Sequence, residues 1–223
     1  MEVDEPAGSL PLVTILVSIA NVAAWFAVLA SAAADPQLWR EAYRTYGFVP
    51  ADFNLAALPT SLFMHAGIMH LAGNVYFLIV FGRIVEAAWG PLRFAALYLA
   101  GGLLASLAHW AVYPDSTLPV IGASGAIAAL MGAVAVAFPS ARMNLFAFLG
   151  PLFAAGMQSV TVPAGTALLA WFIYQSLMFA LAPEPDGVAW VTHLAGFAVG
   201  ALAAAAGPNK HGLRRQREDV DDD

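Results

Sequence analysis

The sequence predicts an all-α polytopic membrane protein built as a bundle of six transmembrane helices. Three observations predict it. Of the 223 residues, 61% are hydrophobic and only 11% are charged, against roughly 25% charged in an average soluble domain. The few charges leave six apolar runs, each close to the ~20 residues that a helix needs to cross ~30 Å of hydrocarbon. Six such spans use about 120 residues, which leaves room for loops and tails but not for a second domain. Helices are the required form, because lipid cannot satisfy backbone polar groups.

The elements follow in order. Residues 1–10 form an acidic tail with Glu2, Asp4 and Glu5. Span 1 covers 11–33, interrupted only by Thr, Ser and Asn; it is too long for a cleaved signal peptide and lacks a basic n-region. A long loop, about 34–60, carries Trp39, Tyr43, Tyr46 and Phe48 and suits an element lying on the membrane interface. Spans 2 to 6 cover about 61–82, 93–113, 120–138, 163–182 and 189–207, completing a membrane domain over 11–207. Residues 143–161 are uncharged, but Gly150-Pro151 breaks them, and they are expected to form an interfacial or re-entrant linker rather than a seventh span. Residues 208–223 are a charged, solvated tail. Trp110, Tyr113, Trp190 and His109 are expected at the outer boundary.

With six spans, both tails and the even loops share one side. That side holds Arg83, Arg93, Arg142, Lys210, Arg214, Arg215 and Arg217, and the other only Arg40 and Arg44. The positive-inside rule puts both termini in the cytoplasm, with the plasma (inner) membrane as the expected location. No basic face points to nucleic acid. Zero Cys excludes disulfides, thiolate metal sites and a cysteine nucleophile. No metal and no cofactor are expected.

Polar residues inside spans are costly and need a reason. His65, His70 and Asn74 lie in span 2, Ser124 in span 4 and His193 in span 6. Spans 2, 4 and 6 run in the same direction, so His70, Asn74, Ser124 and His193 converge in the outer half of the membrane. His70 and Asn74, four apart, share a helical face. A serine hydroxyl becomes a nucleophile when a base within hydrogen-bond reach takes its proton, and a neutral His193 is such a base. Ser124 near a helix start has backbone N–H groups free to meet an oxyanion, and His70 and Asn74 can add side-chain donors. Gly125, Ala129 and Gly132 on span 4 and Gly196 with Gly200 on span 6 allow close helix approach.

Blander readings exist for each part. Gly122-Ala123-Ser124-Gly125 also reads as a packing motif, and it is not the nucleophile elbow of soluble hydrolases. His65 reads as structural, Gln175 in span 5 as a helix–helix hydrogen bond, and Arg83 with Glu86 as an interfacial pair. His211 lies in the tail.

Taken together, the residues resemble the rhomboid family of intramembrane serine proteases. The motifs are His65-Ala66-Gly67-Ile68-Met69-His70-Leu71-Ala72-Gly73-Asn74, then Gly82, Glu86 and Gly90, then Gly122-Ala123-Ser124-Gly125-Ala126, and finally His193-Leu194-Ala195-Gly196-Phe197. The resemblance implies a six-helix rhomboid-like bundle, a Ser124–His193 dyad, and an oxyanion site from His70, Asn74 and the Ser124 backbone. It also implies substrates that are single-pass transmembrane proteins, entering from the lipid bilayer past a gate of spans 2 and 5. Span 5 is expected to move freely, because it offers no catalytic residue and is followed by the hinge-like Pro183-Glu184-Pro185-Asp186-Gly187. Two positions depart from the family pattern. Ala57-Leu58 stands where many members have Trp-Arg, so the first loop is expected to be built differently. Ala128 stands where some have a Tyr packed on the catalytic His, so His193 must be held by another group. The rivals are a catalytically silent rhomboid-like protein that binds transmembrane helices, and a small transporter; the inner halves of the spans lack the polar path that the latter needs.

Overall fold

Proline and glycine set most of the helix boundaries. A computed structural model describes residues 10–144, 160–181 and 189–207. The two tails, the interior of the 143–161 linker and the Pro183–Gly187 hinge lie outside the described residues.

Helix α1 spans Leu12–Ala34. Asp35 ends it and caps the next helix, α2 (Pro36–Tyr46), accepting a hydrogen bond from the Gln37 N–H at 2.8 Å, with proline at the tolerated first position. A short α3 (Ala57–Ser61) precedes α4 (Ile68–Trp89). Gly90, at φ +83°, turns the chain directly into α5 (Pro91–Val112); glycine tolerates this conformation and Pro91 is preset for a helical start. Then come α6 (Ser124–Ala137), two three-residue strands β1 (Arg142–Asn144) and β2 (Thr161–Pro163), α7 (Ala164–Leu181) and α8 (Trp190–Ala206). Strands β1 and β2 pair antiparallel, Met143 opposite Val162, so both ends of the linker meet at one place.

Four helices, α1, α4, α5 and α7, are long and apolar enough to cross a membrane, while α6 and α8 are shorter apolar helices. The 14 residues of α6 reach only about 21 Å at 1.5 Å per residue. It is the central helix, buried from Gly125 through Val134, and it is wrapped by α4, α5, α7 and α8. The exposed apolar side chains lie on the periphery, among them Leu16, Ile19 and Phe26 of α1 and Leu169, Ile173 and Leu177 of α7, where lipid replaces water as the solvent.

Glycines bring α6 and α8 together backbone to backbone. A Cβ on Gly196 would lie 2.1 Å from the Gly125 carbonyl oxygen, and one on Gly132 would lie 2.0 Å from that of Phe197. No side chain fits at Gly132 or Gly196, so the two backbones pack in direct van der Waals contact there.

Three sequence expectations change. The second span begins at Ile68 and ends at Trp89, seven residues later than the charge pattern indicates. Residues 62–67 are held instead as a loop by the Tyr43 hydroxyl, which donates to the His65 carbonyl, and the loop's start is pinned by the Gly122 N–H, which donates to the Ser61 carbonyl at 2.9 Å. At the far end, Glu86 stays inside the helix because its carboxylate is satisfied. It accepts from the N–H groups of Val13 and Thr14 at 2.9 and 2.8 Å and from the Thr14 hydroxyl at 2.7 Å. An anion at the open first turn of α1 also meets the positive end of that helix's dipole. Gly82 leaves room for Thr14, whose Cγ2 would stand 2.8 Å from an added Cβ. Glu86 therefore acts as a buried cap on α1.

Phe48 is fully buried, not interfacial. It exchanges two backbone hydrogen bonds with Val120 at 3.2 and 2.8 Å and packs with Ala57, Leu58 and Val120. The first loop thereby clamps the segment that leads into α6. Trp39 of α2 meets Trp25 of α1 edge to face at a centroid distance of 5.6 Å and the tilted ring of Tyr43 at 5.0 Å. The Tyr43 hydroxyl donates to the His65 carbonyl, and burial pushes its pKa up to about 12, which keeps it protonated as a donor.

Candidate active site

Helix starts gather the polar residues. Ser124 is the first residue of α6, His70 the third of α4 and His193 the fourth of α8. His70 and Ser124 stand nearer their helix N-termini than the expected span starts put them, and His193 stands where expected. Gly122, at φ +112°, ends the loop one residue before the Ala123 cap. The first hydrogen bond of the α6 ladder runs from Ile127 N–H to the Ala123 carbonyl at 2.9 Å. The N–H groups of Ser124, Gly125 and Ala126 therefore precede that ladder and face the cleft end of the helix.

The Ser124 hydroxyl lies 2.9 Å from His193 Nε2. The other ring nitrogen, Nδ1, lies 2.8 Å from Gln175 Oε1 of α7. Packing on the ring comes from Trp171 and Trp190, with centroids 6.1 and 6.3 Å away. The position left open by Ala128 is thus filled from α7: an amide and an indole, four residues apart on one helical face. Sequence reasoning gave Gln175 a generic helix–helix hydrogen bond and gave span 5 no part in the site. The first reading holds, with His193 as the partner on the neighbouring helix; the second is corrected, because Gln175 and Trp171 of α7 both meet the His193 ring. The available signal was a lone amide on an apolar span, which has to find a partner on a neighbouring helix.

His70 and Asn74 stand against the turn before Ser124. A Cβ on Gly122 would meet His70 Cε1 at 2.8 Å, its Nε2 at 2.9 Å and Asn74 Nδ2 at 3.6 Å. The Asn74 amide donates to the His70 carbonyl at 3.0 Å, and His70 Nδ1 accepts from the Ala66 N–H at 3.3 Å. With Nδ1 accepting, the His70 ring carries its proton on Nε2, the nitrogen beside Gly122. His65 sits behind, fully buried, its Nδ1 3.2 Å from the Phe63 carbonyl and its ring 5.1 Å from that of His70. Gly125 faces Thr192 and Ala105, and Gly200 faces the Ala129 carbonyl, so the glycines beside the site act through close packing.

A cavity of about 530 Å³ opens on these groups, lined by Ala66, His70, Ile121, Ser124, Ala189 and His193 among others. His109 lines it too. It is buried in the last turn of α5 with Nδ1 unpartnered. Helix α4 has little direct packing with α7, and Gly73 on α4 faces open space. Among the described residues no cluster of three metal-ligating side chains occurs.

The arrangement contains a hydroxyl hydrogen-bonded to an imidazole, a second group on the far imidazole nitrogen, and N–H donors beside the hydroxyl. These are the parts of a nucleophilic acyl-transfer site. Comparison with known proteins agrees with the motifs. The family described as "Rhomboid domain" matches residues 52–209. Human "Rhomboid-related protein 3" is 32% identical over 145 residues, covering 63% of this chain and 33% of that protein. Human "Presenilin-associated rhomboid-like protein, mitochondrial" is 32% identical over 138 residues, covering 60% of this chain and 34% of its own length. "RHOMBOID-like protein 6, mitochondrial" of Arabidopsis thaliana is 39% identical over 77 residues, covering 34% and 24%. The chain thus spans about a third or less of the length of these curated relatives.

Proposed function

The chain belongs to the rhomboid family, and from that premise we propose that it is an intramembrane serine endopeptidase that cleaves single-pass transmembrane proteins. The observation that carries this reading is the 2.9 Å contact of Ser124 Oγ with His193 Nε2. His193 Nε2 takes the Ser124 proton as Oγ attacks the scissile carbonyl. The carbonyl oxygen becomes an oxyanion, met by the α6 N–H groups and by His70 and Asn74. The imidazolium then gives its proton to the leaving amine, leaving an acyl-Ser124. Water attacks the acyl carbon, with His193 again as base, and Ser124 leaves with the proton restored.

The helices supporting six crossings are α1, α4, α5, α6, α7 and α8. The short α6 crosses with the help of the loop that carries its N-terminus down to the level of the site. The excess of Arg and Lys on one side supports cytoplasmic termini in a plasma membrane. The sparse packing between α4 and α7 supports lateral substrate entry there, and the cavity above Ser124 supports water entry from the nearer surface.

A fluorophosphonate probe tests the reading on the purified protein in detergent. Labelling that depends on Ser124 and is lost in Ser124→Ala supports an enzyme. An unlabelled wild type that still binds transmembrane helices establishes the silent, helix-binding rhomboid-like reading instead.

A further inference from the structure

Gln175 is the one buried amide of α7 and is 5% exposed. Its Oε1 lies 2.8 Å from His193 Nδ1, on the opposite edge of the ring from Ser124. A neutral imidazole has one N–H and one lone pair. For Nε2 to accept the Ser124 proton, the N–H must be on Nδ1, and a carbonyl-type oxygen there is an acceptor only. We propose that Gln175 is a positioning residue that holds His193 in the Nδ1–H tautomer and accepts a hydrogen bond from the imidazolium formed during acyl transfer. This inference rests on the protease reading above.

Trp171 belongs to the same device. Its ring lies 6.1 Å from His193 and 5.9 Å from Phe197, so one face of α7 supplies both the acceptor and a wall for the ring. The base is therefore set only while α7 is seated against α8. A substrate that pushes α7 aside to enter breaks the Gln175 bond, and chemistry waits until α7 returns. Binding and bond cleavage become separate events governed by one helix.

The test compares wild type, Gln175→Met and Gln175→Glu, with Ser124→Ala as the blank. Met keeps the length of the side chain without the amide oxygen, and Glu keeps an acceptor. Gln175→Met is expected to lower kcat about 10²-fold with KM within about twofold, the pattern of an interaction made in the transition state. Gln175→Glu is expected to recover most of that loss. Nitrogen-15 spectra of histidine-labelled protein, assigned with His193→Ala, are expected to show the Nδ1–H tautomer in wild type and its loss in Gln175→Met. Wild-type kcat in a folded Gln175→Met, or an Nε2–H tautomer in wild type, overturns the inference. The tautomer measurement needs no turnover, so it tests the hold of Gln175 on His193 even if the probe leaves wild type unlabelled and the protease reading fails.

Discussion

Gly200 of α8 faces the Ala129 carbonyl of α6 so closely that an added Cβ would stand 1.7 Å from its oxygen. This contact lies about two turns below the Ser124–His193 pair and fixes the distance between the two helices that carry it. Gly200→Ala forces the backbones apart by more than 1 Å. Overpacking of this kind costs about 1–3 kcal/mol, and a misplacement of about 1 Å costs on the order of 10²-fold in rate. Both losses are expected together, in thermal unfolding in detergent and in cleavage of a transmembrane substrate. Full activity in a folded Gly200→Ala means that the site tolerates helix separation.

Ser124→Ala and His193→Ala are expected to reduce cleavage to background, on the order of 10⁶-fold, because the two groups act as one unit. Ser124→Ala removes a single oxygen, so its unfolding midpoint should stay near wild type; His193→Ala also removes the ring against which Trp171 and Trp190 pack, so its midpoint should fall somewhat while the protein remains folded. Turnover by purified Ser124→Ala would exclude the serine mechanism.

Much of this site was legible in the sequence, because it rests on local rules. The helix starts expected to converge do bring His70, Ser124 and His193 to one cavity, small residues mark the α6–α8 contact, and four-residue spacing joins His70 to Asn74. What was not legible depends on contacts between distant residues. Glu86 is paired with Val13 and Thr14, more than 70 positions away, and no charge count reveals that a carboxylate ends inside a helix as another helix's cap. Phe48 reads as an interfacial aromatic until its ladder with Val120 is seen. The helix boundaries at 89–91 were available from Gly90-Pro91 but were set instead by the positions of Arg83 and Arg93. The acceptor on His193 Nδ1 carries no motif, since any helix beside α8 can supply it.

Asn74→Ala is expected to slow cleavage by about 10²–10³-fold, the usual effect of removing one oxyanion donor, while the α6 N–H groups and His70 remain. The fall should appear in kcat with KM little changed. An unchanged kcat assigns Asn74 to bracing α4 through its bond to the His70 carbonyl.

Glu86→Ala strands the first-turn donors of α1 away from the site, at the opposite end of α4 from His70. Hydrogen bonds to a charged group contribute about 1.5–3 kcal/mol, so the expected destabilisation is about 2–3 kcal/mol in reversible unfolding. Activity per folded molecule should be unchanged. A loss of kcat without a loss of stability would point to a path from α1 to the cleft.

Gly122 concentrates two constraints at one residue, which makes Gly122→Ala the sharpest test of the oxyanion arrangement. Its φ of +112° disfavours any side chain. The Cβ would also stand 2.8 Å from His70 Cε1, closer than such atoms approach. Relief requires either moving the His70 ring away from Ser124 or flattening the turn that delivers Ser124 to the helix start. Either response separates the donors of α4 from the hydroxyl of α6 and leaves the distant Ser124–His193 packing through Gly196 and Gly200 in place. Gly122→Ala is therefore expected to lose kcat by on the order of 10²-fold or more while retaining part of its fluorophosphonate labelling, since the dyad still forms. A double variant with His70→Ala removes the clash but not the φ penalty. Partial recovery of stability in that double variant assigns part of the destabilisation to the clash with His70; its kcat stays low in either case, because His70 is itself an oxyanion donor. Wild-type kcat in Gly122→Ala alone would show that the turn relaxes freely and that His70 does not need to stand against it.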